Sequence, residues 1–320
     1  MSLFTLAAQD AMEYLMQTSG GGAQDSEYRV LRAALHHSYR DVCGAKDWLW
    51  HVDEGTITTI AGETTYLLPV NCKNVDAISL PDQTTTTSYV TPAEWVRLEQ
   101  NDLTLGFPVY WTVSRSSDAD TYDRWCLKIA GRLPAGTVLR YTYRRMTQPL
   151  SLMGYESYCR TGNVTVAGTK VLGNNVNFPM RVEGAIFRIG TPANVPESLA
   201  GFYPYIAQSK IAKRVSATEL ELEDDLGTFP TSKYTVSCHL DMSNQMFSAL
   251  LSGTEVYLAR LMGKNIDGAI SLYQRDLKMA MENDVLAPLS GRRGPYERQP
   301  DLPSPPYAGS YTMGPDGGTT

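Results

Sequence analysis

Apolar residues open the chain at helical spacing. Leu3, Ala7, Ala8, Met12 and Leu15 share one face of a helix predicted over residues 3–17. The run Ser19-Gly20-Gly21-Gly22 stops it, as a glycine-rich helix end does. Asp25 or Ser26 can cap a second helix, in which Tyr28, Leu31, Leu35, Tyr39 and Val42 line one stripe to about Trp48. The short glycine loop predicts that the two pack antiparallel.

At Val52 the period changes from helical to alternating. Short β-rich runs begin at Thr56, Thr65, Asn74, Val109, Arg124 and Val138. Turn chemistry separates them at Ala61-Gly62, Pro81-Asp82, Gly106-Phe107-Pro108 and Leu133-Pro134-Ala135-Gly136. The stretch from Pro92 reads as a brief helix with proline in its first turn. From about Arg160 to Ser237 the strands shorten further and turns crowd in, with Gly168 and Gly173-Asn174 among them. That density predicts a small barrel or sandwich inserted into a host fold.

Helical spacing then resumes. Ser243 can cap a helix with Met246, Leu250, Val256 and Leu261 on one stripe, ending near Gly263. A last helix from about Ile266 aligns Ile270, Tyr273, Leu277 and Met281. Beyond Pro288, proline, glycine and small polar residues dominate, the composition of an extended tail. Arg292, Arg293, Tyr296, Tyr307 and Tyr311 give that tail anchors for docking a partner. The expected organisation is therefore α+β: a bundle of N-terminal (1–51) and C-terminal (238–288) helices, an antiparallel β platform (52–159), an inserted β-barrel or sandwich (160–237) and a tail (289–320). Trp48, Trp50, Tyr66 and Pro69 are read as one structural junction. In it, the two tryptophans pin the second helix against a hairpin running from Thr56 to Pro69.

Composition narrows the classes. A net charge of −6 gives no general attraction to nucleic acid or anionic membrane. The 19 tyrosines against 7 phenylalanines suit half-buried sheet faces and subunit interfaces. Five scattered cysteines without C-x-x-C spacing argue against a disulfide framework or a zinc site. The N-terminus reads as lacking a secretory leader, and no apolar run is long enough to span a membrane.

Candidate chemistry is sparse. His36 and Cys43 lie two helical turns apart, about 10 Å by helix rise, too far for direct proton transfer. His37 shares that helix, Cys238 and His239 are adjacent, so their side chains diverge, and His51 has no partners at metal spacing. The acidic run from Glu219 to Asp225 lacks a calcium-loop pattern; its alternating leucines read as a half-exposed strand. Asn163-Val164-Thr165 reads as a strand start. Basic clusters at Arg140, Arg144 and Arg145, and at Lys210, Lys213 and Arg214, read as solvated charge or as contacts to acidic partners. No catalytic residue, metal site or cofactor is expected.

The arrangement resembles the head-to-tail adaptor (connector, or neck) proteins of tailed bacteriophages. The residues that carry the likeness are the tryptophan-rich helix end, WHVDEGTITTIAGETTYLLP, the closing RYTYRRMTQPL and the inserted block. That block has its GNVTVAGTKV start, Arg188-Ile189-Gly190 and Ser216 to Leu222. The resemblance implies a non-enzymatic virion protein at the head-tail junction, assembled in the host cytoplasm as a dodecameric ring. Its implied partners are further copies of itself, the portal protein and tail or tail-nozzle proteins. Double-stranded DNA would pass an axial channel without sequence-specific contact, and no membrane is involved. A peripheral tail or fibre attachment module remains open as an alternative, and so does a hydrolase.

Overall fold

The computed structural model describes residues 5–19, 25–80, 87–100, 109–116, 124–130 and 133–286. The tail residues Arg292, Arg293, Tyr296, Tyr307 and Tyr311 lie outside the described residues, as do the predicted turns at Pro81-Asp82 and Gly106-Phe107-Pro108. Six α-helices and fourteen strands build a mixed α+β chain among the described residues.

Helices α1 (Ala8–Ser19) and α2 (Asp25–Gly44) start the chain, and α5 (Phe247–Leu261) and α6 (Asp267–Leu286) end the described part. All four contribute to one core, where Met12, Leu35, Tyr39, Leu250 and Ala280 are buried together. Contact between α2 and α5 is close. Ser38 Oγ donates to the Leu250 carbonyl at 2.9 Å, and a Cβ at Gly253 would stand 2.4 Å from that hydroxyl. The Asp10 carboxylate accepts the Ala7 amide at 2.9 Å and so satisfies a free N–H at the start of α1. Just before it, Ala8 N–H donates to the Cys238 carbonyl and Leu240 N–H to the Leu6 carbonyl. The start of the chain is thereby laced to the segment that leads into α5. Helix α5 stops where predicted: Gly263 takes φ +64° and its N–H returns to the Arg260 carbonyl.

Two sheets, packed as a sandwich over one shared core, form the platform. One has the order β1-β7-β3, from Val52–Thr58, Val138–Arg145 and Cys72–Ser79; the other is β2-β6-β5-β4, from Thr65–Leu67, Trp125–Ala130, Val109–Arg115 and Thr87–Tyr89. Their inward faces share a core of Ile57, Ile78, Leu139 and Tyr141 against Trp111, Leu127 and Ile129. Pairing is antiparallel except between β4 and β5, which run parallel across α3 (Pro92–Gln100). That helix carries a reciprocal cap, Glu94 N–H to Thr91 Oγ1 at 3.3 Å and Thr91 N–H to Glu94 Oε2 at 2.9 Å. The expected hairpin from Thr56 to Pro69 does not form. β1 pairs with β7 and β2 with β6, so the turn at Gly62 carries the chain from one sheet to the other.

The third core lies inside a seven-stranded antiparallel sheet curled as a half-barrel, ordered β13-β8-β9-β12-β11-β10-β14. Its strands are β8 (Asn163–Ala167), β9 (Lys170–Asn174), β10 (Ile186–Ile189), β11 (Ala207–Arg214), β12 (Glu219–Leu222), β13 (Thr228–Ser232) and β14 (Tyr234–Ser237). A four-residue helix α4 (Ser157–Arg160) precedes them. The first and last strands of the order are consecutive in the chain, separated by Lys233, so the sheet's two edges meet there. In β12, Leu220 and Leu222 point inward while Glu221 is exposed, the half-solvated strand that its alternation predicts. Gly173-Asn174 proves to be strand, not turn; the reversal falls one residue later, at Asn175 with φ +56°.

Candidate functional site

Asp241, in the segment between β14 and α5, joins the helical core to β7 of the platform. Asp241 N–H donates to the Tyr39 hydroxyl at 3.1 Å, which fixes the segment to α2. Its carboxylate accepts the Trp50 indole N–H at 3.2 Å and an Arg145 N–H at 3.1 Å. Its carbonyl lies 3.1 Å from His51 Nε2, a contact that assigns the proton of that imidazole to Nε2. Arg145 also donates to the Trp50 carbonyl at 3.1 Å. Beside it, Arg144 pairs with Asp76 at 3.0 Å and reaches the Asp47 carbonyl. Two arginines that read as solvated charge are thus joints between β7, the helix end and β3. Arg140 stays exposed.

The predicted junction residues divide between two cores. Trp48 is fully buried among the helices, its indole N–H given to the Val42 carbonyl at 2.9 Å and Lys46 Nζ 5.6 Å from the ring centre. Trp50 sits in a short 3-10 turn (Leu49–His51) and is 45 % exposed. Tyr66 packs instead on the sandwich core, where its hydroxyl clips the Ile60–Glu63 turn. Pro69 accepts the Cys72 amide at 2.9 Å. Trp48 therefore closes the helical core. Sequence reading overlooked Asp241; the only signal was one acid inside the apolar run Leu240-Asp241-Met242.

A cavity of about 720 Å³ opens next to this joint, walled by Trp50, Lys210, Glu223, Asp224, His239 and Asp284 among others. Burial, with Lys210 adding to it, lowers the His239 pKa to about 4, so the imidazole is neutral at pH 7. Asp284 is engaged by Lys46 at 3.0 Å, and the Ser209 hydroxyl donates to the Lys210 carbonyl at 3.1 Å. The wall can hydrogen-bond a polar group and offers charge of both signs. Elsewhere, burial raises the Cys43 thiol to about 12, which holds it protonated. His37 stacks on Tyr257 at 5.5 Å, and partial burial with Arg40 nearby lowers the His36 pKa. Among the described residues, no group of three or more His, Cys, Asp and Glu side chains is placed to hold a metal ion.

The chain matches no protein-family model and no curated protein.

A second joint fixes α1 to the half-barrel. Arg188 on β10 is 1 % exposed and makes a two-pronged contact with Asp10, at 2.6 and 2.7 Å. Its Nε donates to Gln208 at 3.1 Å, and its guanidinium lies 4.5 Å from the Tyr205 ring centre. Along the same helix face, Gln9 donates to the Pro196 carbonyl and Glu13 accepts the Ser198 amide. The loop so held displays Leu199, Phe202, Tyr203 and Ile206, with Phe202 90 % exposed.

Proposed function

We propose that the chain is a structural subunit of a ring adaptor between the portal and the tail of a tailed bacteriophage. In this reading the ring is dodecameric, seals the head and leaves an axial channel through which double-stranded DNA passes. The observation that carries it is the core shared by α1, α2, α5 and α6, which brings helices from both ends of the chain together. The finer architecture would be a helical bundle (1–51 and 238–288) carrying the β platform (52–159) and an inserted small barrel (160–237).

Two further features support assembly. Leu199, Phe202, Tyr203 and Ile206 stand in water on a loop tied down by Gln9 and Glu13, an arrangement suited to a neighbouring subunit. The net charge of −6 suits a channel wall that must release DNA. Arg292, Arg293, Tyr296, Tyr307 and Tyr311 would dock the tail of the assembled subunit on the portal.

Mass photometry of the purified protein, alone and mixed with portal, tests the reading. Ring-sized particles are expected. Monomers under both conditions overturn it.

A further inference from the structure

At the mouth of the sandwich lies a groove of about 620 Å³. Tyr89 on β4, Trp111 on β5, Trp125 on β6 and Pro92 at the start of α3 supply its apolar walls, and Lys73 and Asp76 on β3 its rim. Tyr89 is paired in register with Trp111, and their rings meet edge to face at 5.0 Å. Trp125 is opposite Arg115, whose guanidinium lies 5.3 Å from the indole centre. Trp111 is buried, whereas Tyr89 is 54 % exposed, so the aromatic face runs out of the core into solvent.

A row of aromatic rings suits one kind of chain. A polyproline II helix repeats every three residues and has no internal hydrogen bonds, so its proline rings can seat between aromatic side chains and its carbonyls take their N–H and O–H donors. This protein carries a proline-rich segment of suitable composition. Pro288, Pro295, Pro300, Pro303, Pro305, Pro306 and Pro315, of 18 prolines in all, fall beyond the described residues. In Leu302-Pro303-Ser304-Pro305-Pro306-Tyr307, two prolines stand at the three-residue repeat.

The end of the described chain lies within reach of the groove. Asp284, near the end of α6, accepts the Leu49 amide at 3.2 Å. Two residues before Leu49, Asp47 pairs with Lys73 on the groove rim at 2.9 Å. From Leu286 to Pro303 is 303 − 286 = 17 residues. At about 3.3 Å each they span roughly 56 Å, far more than this path of two side-chain contacts and a few chain steps.

We propose that in the unassembled protein the chain's own segment 300–307 occupies the groove lined by Tyr89, Trp111 and Trp125. The inference does not rest on the adaptor reading.

Fluorotryptophan NMR of the full chain tests it, with the five tryptophans assigned by single Trp→Phe substitutions. Replacing Pro303, Pro305 and Pro306 together by alanine should move the Trp111 and Trp125 signals and leave Trp48 and Trp50 in place. The shift should not depend on protein concentration. A synthetic peptide of residues 299–309, added to that variant, should return the two signals saturably. Tyr89→Ala should weaken the peptide about tenfold. Unmoved Trp111 and Trp125 signals, or a peptide indifferent to Tyr89→Ala, overturn the proposal. A concentration-dependent shift overturns it in favour of a second copy's segment.

Discussion

Trp50 and Arg145 meet on a single carboxylate oxygen of Asp241, at 3.2 and 3.1 Å, which ties the turn after α2 and strand β7 to the segment between β14 and α5. Removing that carboxylate takes the acceptor from the indole N–H and leaves the half-buried guanidinium only the Trp50 carbonyl and the more distant Asp53. Asp241→Ala should therefore cost about 3 kcal/mol, and Trp50→Phe about 1 kcal/mol. Because both changes break one shared joint, the double variant should fall short of their sum. Urea midpoints decide the matter, and strictly additive losses would mean that the contacts act separately.

The Asp10–Arg188 pair should show the asymmetry of a buried ion pair. Asp10→Asn strands a guanidinium that is 1 % exposed and should cost about 3–5 kcal/mol. Arg188→Met removes the charge and leaves Asp10, 15 % exposed, still accepting the Ala7 amide, so it should cost less. Adding Arg188→Met to Asp10→Asn should recover part of the loss in a denaturant titration. An Asp10→Asn protein within about 1 kcal/mol of the parent would show that Gln208 and Tyr205 suffice.

Gly55 has a steric reason to be glycine. It faces Tyr141 across the β1–β7 ladder, and a Cβ there would stand 2.2 Å from the buried tyrosine ring. Gly55→Val should displace that ring from the sandwich core and cost about 1–3 kcal/mol, despite valine's preference for strands. Restoration of the melting temperature in a Gly55→Val/Tyr141→Val double variant would confirm the clash as the cause.

His239 should make the fold acid-sensitive. The unfolded imidazole takes up its proton near pH 6.5 and the folded one only near 4, chiefly because burial disfavours the charged form. Across that window the unfolded chain binds more protons, so stability falls as pH drops from 6.5 to 4. The loss is complete below the folded value, with an upper size of about 3 kcal/mol. His239→Gln should flatten this part of the stability–pH curve relative to the parent. Parallel curves would show that the imidazole titrates alike in both states.

Local signals in the sequence carried the elements well, and the long-range wiring poorly. Pro92 at the first turn of α3, Gly263 at the end of α5 and the alternating leucines of β12 are short-range chemistry, and each stands where its pattern places it. The hairpin from Thr56 to Pro69 was misjudged because neighbouring strands around a good turn normally pair. Here β1 instead finds β7, with Thr56 opposite Arg140. Asp10 and Arg188 lie 178 positions apart, and no spacing rule relates them. Trp48 was legible as a core residue, but which core it enters depends on where α2 ends, and that end falls at Gly44, not Trp48.

The Cys238 N–H donates to the Leu152 carbonyl at 2.8 Å, so the chain leaves the half-barrel one backbone hydrogen bond from where it approached it. If residues 160–237 are the inserted module proposed above, such a neck would make the block a detachable part in the evolutionary sense. A lineage could trade residues 153–237 for a tight turn, or for another β unit, without re-threading the helices. The lasting record of the choice would be written on α1, where Gln9, Asp10 and Glu13 would lose the partners that explain their presence on a buried face.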